Sequence, residues 1–261
     1  MEFAIEIRGL RRVFGEVVAV DGLDLAVDQG TFFGFLGPNG AGKSTTIKML
    51  TGLLGPSDGA ARILGHDVVA DAVAAKRLMG VVPEESALFE RLTGPEYLRF
   101  VGRMYGMSRA VIDARSAELF ELMGLQDDTA KLIVDYSHGM KKKLSISAAI
   151  IHEPQVLFLD EPFEGIDAVS SQLVRSVLNQ LVATGVTIFL TSHILEIVEK
   201  LCTHVAIIHK GRLVADGPLD QLRDGGEAGV QGDSKAKTLE ELFLSLVGGD
   251  RLERGRLSWL E

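Results

Sequence analysis

One nine-residue stretch constrains this chain more than any other: Gly37-Pro38-Asn39-Gly40-Ala41-Gly42-Lys43-Ser44-Thr45. It fits G-x-x-x-x-G-K-[ST], the pattern of a loop that wraps the phosphates of a nucleoside triphosphate. A buried strand over residues 31–36 and a helix after the loop are predicted, which is the context that this motif requires. The alternative, a glycine-rich turn that binds nothing, is disfavoured by that context.

The chemistry of this loop follows from its backbone and from two side chains. Glycines allow successive backbone N–H groups to turn toward one anion, and the following helix points its positive dipole end at the same place. Lys43 is expected to reach the β- and γ-phosphates, and the Ser44 hydroxyl is expected to ligate Mg²⁺. The motif therefore predicts a site for a nucleotide with its metal ion.

Length, charge and cysteine content limit the class of protein. The 261 residues suit one domain with a subdomain. Lys plus Arg is 27 and Asp plus Glu is 36, and the resulting net charge of −9 argues against a nucleic-acid partner. The single cysteine, Cys202, cannot form an internal disulfide and fits a reduced, cytoplasmic compartment. Neither a membrane-spanning run nor a signal peptide is apparent.

The pattern along the chain predicts alternating strands and helices around a helical insert. Residues 3–8 and 22–27 alternate apolar and polar residues, as half-exposed strands do. Capping-box spacing at Thr93 and helical periodicity beyond it predict a helical insert from about residue 85 to 153. The α/β alternation then returns. Residues 223–237 are predicted to be a linker that precedes a capped helix at Thr238.

A second part of the site is predicted where an apolar strand ends in Leu159-Asp160-Glu161-Pro162. Ligands of open parallel sheets bind beyond the carboxyl ends of the strands. Asp160 is therefore expected to hold Mg²⁺ together with Ser44, directly or through water. Glu161 is expected to face the reacting phosphate and to orient or deprotonate the attacking water. A strand that ends in Asp-Glu is a weak signal alone, and the phosphate loop upstream is what strengthens it.

Together, these motifs resemble those of the nucleotide-binding subunits of ABC transporters, and the similarity covers nearly the whole chain. Residues 37–45 resemble the Walker A motif, 156–160 resemble Walker B and 164–167 resemble the D-loop. Glu161 occupies the position of the catalytic glutamate, and His193 matches the switch histidine, which contacts the γ-phosphate. Three further matches complete the set: Tyr136-Ser137-His138-Gly139-Met140 at the signature, Val82-Pro83-Glu84 at the loop that links the core to the helical subdomain, and Phe14 at the aromatic residue that stacks on adenine.

The resemblance implies a fold and a division into domains. The expected fold class is α/β: a P-loop NTPase of the RecA-like type, whose mixed sheet core carries an N-terminal antiparallel β subdomain and an inserted α-helical subdomain. Residues 1–217 are expected to form the ATPase domain, with 1–84 and 154–217 as its core and 85–153 as the helical subdomain. Residues 218–261 are expected to form a linker and a C-terminal helical tail.

The resemblance also implies ligands and partners. ATP and Mg²⁺ are the expected ligands. The metal ion is expected to be bound by Ser44, Asp160 and Glu84. A second ATP-binding subunit, identical or different, is expected to dimerise head to tail, so that residues 137–139 of one chain contact the ATP of the other. A membrane-spanning permease subunit is the other expected partner. It would place the chain in the cytoplasm, on the inner face of the cell membrane.

Two residues depart from the family pattern. Glu84 replaces the usual amide; its carboxylate can still ligate Mg²⁺, and without the metal it would be repelled by the γ-phosphate. His138 replaces a glycine of the signature and either crowds the phosphate or adds a donor to it. The run Lys141-Lys142-Lys143 is interpreted as a solvated helix face.

An ABC-2 type exporter is the closest subgroup, indicated by residues 136–141 and 238–243. Two other functions stay open. One is a soluble ABC ATPase of translation or DNA maintenance, although such proteins usually carry two ATPase modules or a long coiled-coil insertion. The other is a regulatory subunit that binds nucleotide and in which Glu84 and His138 mark impaired hydrolysis.

Overall fold

Two β-sheets organise residues 3–223 and 238–248, the part of the chain that this computed structural model describes. The first sheet is antiparallel, in the order β2-β1-β4-β5. Its strands are β1 (Phe3–Phe14), β2 (Val17–Asp28), β4 (Asp58–Ile63) and β5 (His66–Asp67). The alternating residues predicted this sheet, because Ile5, Ile7 and Leu25 point inward and are buried. β1 and β2 are confirmed, and each extends well beyond the predicted segment.

The second sheet has six strands in the order β10-β9-β3-β8-β7-β6. They are β3 (Phe32–Leu36), β6 (Met79–Val82), β7 (Val156–Asp160), β8 (Thr187–Thr191), β9 (His204–His209) and β10 (Arg212–Pro218). All neighbours run parallel except β9 and β10, which form an antiparallel hairpin. Every residue of β3, β7 and β8 is buried, as continuous apolar strands covered on both faces require.

Helices cover the second sheet, and three of them form the predicted insert. These are α3 (Gly94–Met104), α4 (Arg109–Leu122) and α5 (His138–Ile150). Thr93 and Glu96 make the reciprocal capping box that starts α3. The core helices are α1 (Lys43–Leu50), α2 (Ala72–Leu78), α6 (Ala168–Ala183), α7 (Leu195–Leu201) and α8 (Leu219–Arg223). The mixed sheet, the antiparallel sheet and the helical insert together confirm the predicted fold class.

A last helix, α9 (Leu239–Val247), lies against α7. It begins as predicted, because the Thr238 hydroxyl accepts a hydrogen bond from the Glu241 backbone N–H. The Leu239 N–H donates to a Glu199 carboxylate oxygen at 2.5 Å. Almost all of the predicted linker, residues 224–237, lies outside the described residues. Within the described ranges, no helix has the length and apolar character needed to cross a membrane.

Candidate nucleotide site

The phosphate loop joins β3 to α1, as predicted. No side chain caps the N-terminus of α1, and its first turn contains no acidic residue. The first N–H groups of the helix and its positive dipole end are therefore available to an anion. Lys43 is 7% exposed, and its ammonium donates to the Gly37 carbonyl oxygen at 2.7 Å. It is held against the loop, at the position where a phosphate would attract it.

Two glycines of this loop are required by close backbone contacts. Gly42 has a φ of +110°, and a Cβ placed on it would lie 2.5 Å from the Ala19 carbonyl oxygen. A Cβ on Gly37 would lie 2.4 Å from the Ile208 carbonyl oxygen. Side chains at these positions would force the loop to shift. The glycines therefore fix the loop between β2 and β9.

The register of the sheet brings the phosphate loop and the end of β7 to one edge. Thr191, at the end of β8, pairs with Phe35 of β3 on one side and with Asp160 of β7 on the other. Neighbouring strands are about 4.8 Å apart, so the ends of β3 and β7 lie roughly 10 Å apart. The Thr191 hydroxyl also donates to a carboxylate oxygen of buried Asp160 at 2.5 Å. Asp160 is thus fixed at the edge where the sequence predicted it.

Glu161 and His193 form a pair that the sequence predicted only as separate residues. The Glu161 carboxylate accepts from the His193 backbone N–H at 3.2 Å and from its Nδ1–H at 2.9 Å. Glu161 has a φ of +47°, which is unfavourable for a residue with a side chain and shows that the surrounding contacts hold the backbone in this conformation. The carboxylate is buried, whereas the imidazole ring is about half exposed. This arrangement holds the carboxylate in place and leaves the far side of the ring accessible.

The oxygen atoms of Ser44 and Asp160 fit the predicted Mg²⁺ site if the phosphates of a bound nucleotide supply further ligands. Ser44 and Asp160 supply a hydroxyl and a carboxylate at the same sheet edge. In the described ranges, no three His, Cys, Asp or Glu side chains are grouped closely enough to hold a metal ion by themselves. Mg²⁺ usually binds through one or two protein oxygens together with substrate phosphates and water, so the small donor set agrees with it.

The signature turn, residues 137–139, starts helix α5. Ser137 is the N-cap residue, and its hydroxyl accepts from the Met140 N–H at 3.2 Å. The side chains of Ser137 and His138 are exposed. A Cβ placed on Gly139 would lie 3.7 Å from Cγ2 of Ile166, so the turn lies beside the D-loop of its own chain. The signature turn therefore presents its helix N-terminus outward.

His138 packs against the D-loop of its own chain. Gly165 has a φ of +69°, and a Cβ placed on it would lie 2.8 Å from Cδ2 of the His138 ring. The ring therefore occupies the space above this glycine. The side chain of His138 is nevertheless exposed. This contact could not be predicted from the sequence, because the whole of helix α5 and strand β7 separates the two residues.

The interpretation of the lysine run as a solvated helix face was wrong. Lys142 and Lys143 are buried, and only Lys141, which forms an ion pair with Glu90 at 2.7 Å, lies near the surface. The Lys142 ammonium donates to the backbone carbonyl oxygen of Glu84 at 2.9 Å. Glu84 itself follows β6, as expected, and its side chain is exposed. The helix packs on three sides, so three consecutive residues cannot all face water.

The aromatic residue expected under adenine, Phe14, ends β1 and is 45% exposed. The Arg12 guanidinium lies 4.6 Å from the centre of the Phe14 ring. A cation over one face of an aromatic ring is attracted to it and helps to fix its orientation. One face of Phe14 is thus covered by Arg12, which leaves the other for a base.

A cavity of about 720 Å³ lies away from all of these residues. It is lined by the starts of β7 and β8 and by the ends of α5 and α6, including Pro154, Val186 and Ile150. Ligands of parallel sheets bind at the opposite, carboxyl edge. Cavity size therefore does not locate the site of this protein, and the strand ends do.

The fold and the strand-end residues define a P-loop NTPase of the ABC type, and comparisons with known proteins agree. The sequence model of the family described as ABC transporter matches residues 20–164. The daunorubicin/doxorubicin resistance ATP-binding protein DrrA of Streptomyces peucetius is 43% identical over 96% of this chain and 77% of that protein. The linearmycin resistance ATP-binding protein LnrL of Bacillus subtilis (strain 168) is 38% identical over 87% of this chain and 74% of that protein.

A solved structure, described as that of an ATP binding subunit of an ABC transporter, has a TM-score of 0.85 and 32% sequence identity. It covers 93% of this chain, which covers 99% of that structure. The chain therefore belongs to the ABC transporter family, as an ATP-binding subunit. Domains of this family bind ATP and are in general ATPases.

Proposed function

We propose that this chain hydrolyses ATP to drive an ABC-2 type exporter, as one of two ATP-binding subunits that dimerise head to tail around two ATPs. The observation that carries the proposal is the convergence of Lys43, Asp160, Glu161 and His193 at one edge of the second sheet. These side chains supply a phosphate-binding cation, a metal ligand, a base and a second proton-bearing group. That set matches the needs of phosphoryl transfer to water.

In this mechanism, each side chain acts on a different part of ATP. Lys43 leaves the Gly37 carbonyl oxygen and holds the β- and γ-phosphates, together with the N–H groups of α1. Ser44 and Asp160, with Glu84 as a further ligand, would hold Mg²⁺, which when bound would supply positive charge close to the phosphates. Glu161 orients the attacking water and accepts its proton. Phe14 stacks on adenine through its uncovered face.

The pair with Glu161 sets a condition on how His193 acts. Because a carboxylate only accepts hydrogen bonds, Nδ1 of His193 carries a proton in this arrangement. A neutral ring then presents a lone pair at Nε2. A hydrogen bond from His193 to a γ-phosphate oxygen requires a second proton on the ring or a turn of the ring away from Glu161.

The orientation of the signature turn supports a dimer. The α5 N-terminus favours negative charge, and Ser137 and Gly139 lie where an incoming phosphate could approach it. Ser137 is exposed at the surface of its own chain, so the γ-phosphate that it contacts would be bound by the partner subunit. Closure of the dimer would complete the site and exclude bulk water.

An apolar cleft supports contact with a membrane-spanning permease. It has a volume of about 360 Å³ and lies between the core and the helical insert, with Leu53 and Tyr105 among its lining residues. Exposed Phe89, Phe100 and Met104 extend this apolar area on the insert. Apolar surface of this kind marks interaction sites on otherwise polar proteins. The contact would hold the chain at the inner face of the cell membrane.

The relatives favour export over the alternatives. DrrA and LnrL are named for resistance to daunorubicin/doxorubicin and to linearmycin. A further relative, from Cupriavidus metallidurans (strain ATCC 43123 / DSM 2839 / NBRC 102507 / CH34), is named for Nod factor export. It is 38% identical over 86% of this chain and 74% of its own length. All three are named as ATP-binding proteins, which supports a transporter subunit over a soluble factor. The Glu161–His193 pair supports hydrolysis over a purely regulatory role.

The substitution Glu161→Gln tests this function directly. Loss of the general base should lower kcat by about 10²- to 10⁴-fold. ATP affinity should be kept, and size-exclusion chromatography with MgATP should show a trapped dimer. Glu196→Gln, which removes an exposed carboxylate that is ion-paired with Lys200, is the matched control. Turnover of Glu161→Gln close to that of the control would refute the assignment.

A further inference from the structure

Lys142 is buried to a degree that is rare for lysine. It is only 1% exposed and is one of the largest fully buried side chains of the described residues. Lysine is almost never fully buried unless it has a partner. The partner of its ammonium is the backbone carbonyl oxygen of Glu84, at 2.9 Å. One long side chain thus connects the second turn of the signature helix α5 to the loop after β6.

The charges around this ammonium all belong to the nucleotide site. Burial lowers the pKa of Lys142, and the negative charges that oppose this effect are those of Glu164, Asp160, Glu84 and Glu161. They come from the D-loop, the end of β7 and the loop after β6. The ammonium therefore compensates carboxylates that would otherwise repel one another and a phosphate.

The neighbouring lysine provides a natural comparison. Lys143 is also buried, at 7% exposure, but the carboxylates that act on it are those of Asp167 and Asp128. Asp128 lies before α5 and Asp167 caps the start of α6, whereas Glu84 follows β6. The two lysines have the same chemistry, the same helix and similar burial. They differ in whether they face the loop that carries Glu84.

We propose that Lys142 is a positioning residue that holds the Glu84 loop, and thereby the Glu84 carboxylate, for the metal ion of the nucleotide. This inference rests on the proposed function. The same side chain fixes Glu84 relative to the signature turn on its own helix. Lys142 therefore links two parts of one chain. One is Glu84, which belongs to this chain's own nucleotide site, and the other is the signature turn, which would contact the ATP of the partner subunit.

The test compares Lys142→Met, Lys142→Arg and Lys143→Met in the full chain. The readout is ATP affinity at increasing Mg²⁺ concentration, which does not require hydrolysis; kcat and thermal unfolding are measured in parallel. We expect Lys142→Met to raise about tenfold the Mg²⁺ concentration at which ATP affinity is half-maximally enhanced. Loss of a group that orients a metal ligand weakens metal binding by about this factor. The uncompensated carboxylates should also weaken ATP binding without Mg²⁺, so the affinity measured without the metal ion is the baseline for each variant. Lys142→Arg, which keeps the charge and the donors, should stay close to the unmodified protein.

Lys143→Met should lower the unfolding temperature without shifting the Mg²⁺ midpoint. An unchanged Mg²⁺ midpoint in Lys142→Met, or an equal shift in Lys143→Met, would overturn the proposal. If the Met variant does not fold, Lys142→Gln gives the same readout. Absence of turnover in the unmodified protein, with a Mg²⁺-dependent ATP affinity that Lys142→Met shifts, would count against hydrolysis and support the role of Lys142.

Discussion

The phosphate loop and the signature turn use the same element, a helix N-terminus, in opposite ways. At the phosphate loop, Lys43 is buried and folded against Gly37, and Gly42 is held against the backbone of a neighbouring strand. At the signature turn, Ser137 and His138 are exposed, although the His138 ring lies beside Gly165. The first is complete within one chain, whereas the second is open toward an outside ligand.

This difference suggests a division of energetic roles. Groups that are fixed before ATP arrives lose little freedom on binding, so the phosphate loop should determine affinity. Groups that meet the phosphate only on dimer closure should affect turnover instead. Changes in the two regions are therefore expected to appear in different measurements.

Lys43→Ala should have the largest effect on binding. The loss of a charge-assisted contact with phosphate is worth about 1.5–3 kcal/mol, which corresponds to a roughly 10- to 100-fold weaker ATP affinity. Isothermal titration calorimetry measures it. Lys48→Ala removes an exposed lysine from the same helix and should leave the affinity within about twofold. An equal Kd for the two variants would contradict the role given to Lys43.

Gly42→Ala compared with Gly40→Ala tests whether the loop is fixed by its packing. Both glycines have positive φ, but a Cβ on Gly42 meets the Ala19 carbonyl oxygen, whereas a Cβ on Gly40 meets nothing within 4 Å. Strain of about 1–3 kcal/mol should lower the melting temperature of Gly42→Ala by roughly 5 °C and also weaken ATP binding. The melting temperature of Gly40→Ala should fall by only about half as much, because its positive φ is the sole source of strain. Equal losses in the two variants would mean that packing is not the cause.

His138→Gly should have the smallest effect and bears on the signature turn. Because the ring leans on Gly165, its removal should change kcat by less than about threefold, or about 0.7 kcal/mol, and leave the Kd for ATP unchanged. Steady-state ATPase assays measure this. A tenfold gain in kcat would show that the imidazole crowds the phosphate. A change in Kd would show that the signature turn also contributes to ATP affinity, contrary to the division of roles between the two regions.

Most of the fold could be predicted from the sequence because its signals are local. The phosphate loop needs nine adjacent residues, and the strands that enter it and end at Asp160 are continuous apolar runs. Short elements such as α2 and α8 were not predicted, since five to seven residues carry too little periodicity. The run of lysines gave a wrong interpretation, because charge alone does not show which side of a helix is covered.

The sequence by itself determined that a phosphate loop, two carboxylates at a strand end and a helical insert occur in one chain. Only the tertiary structure decided that Glu161 pairs with His193, that His138 lies on Gly165 and that Lys142 reaches the Glu84 carbonyl oxygen. The physical reason is separation along the chain. Local motifs are encoded in contiguous backbone, whereas these contacts join residues far apart and depend on strand register and helix packing.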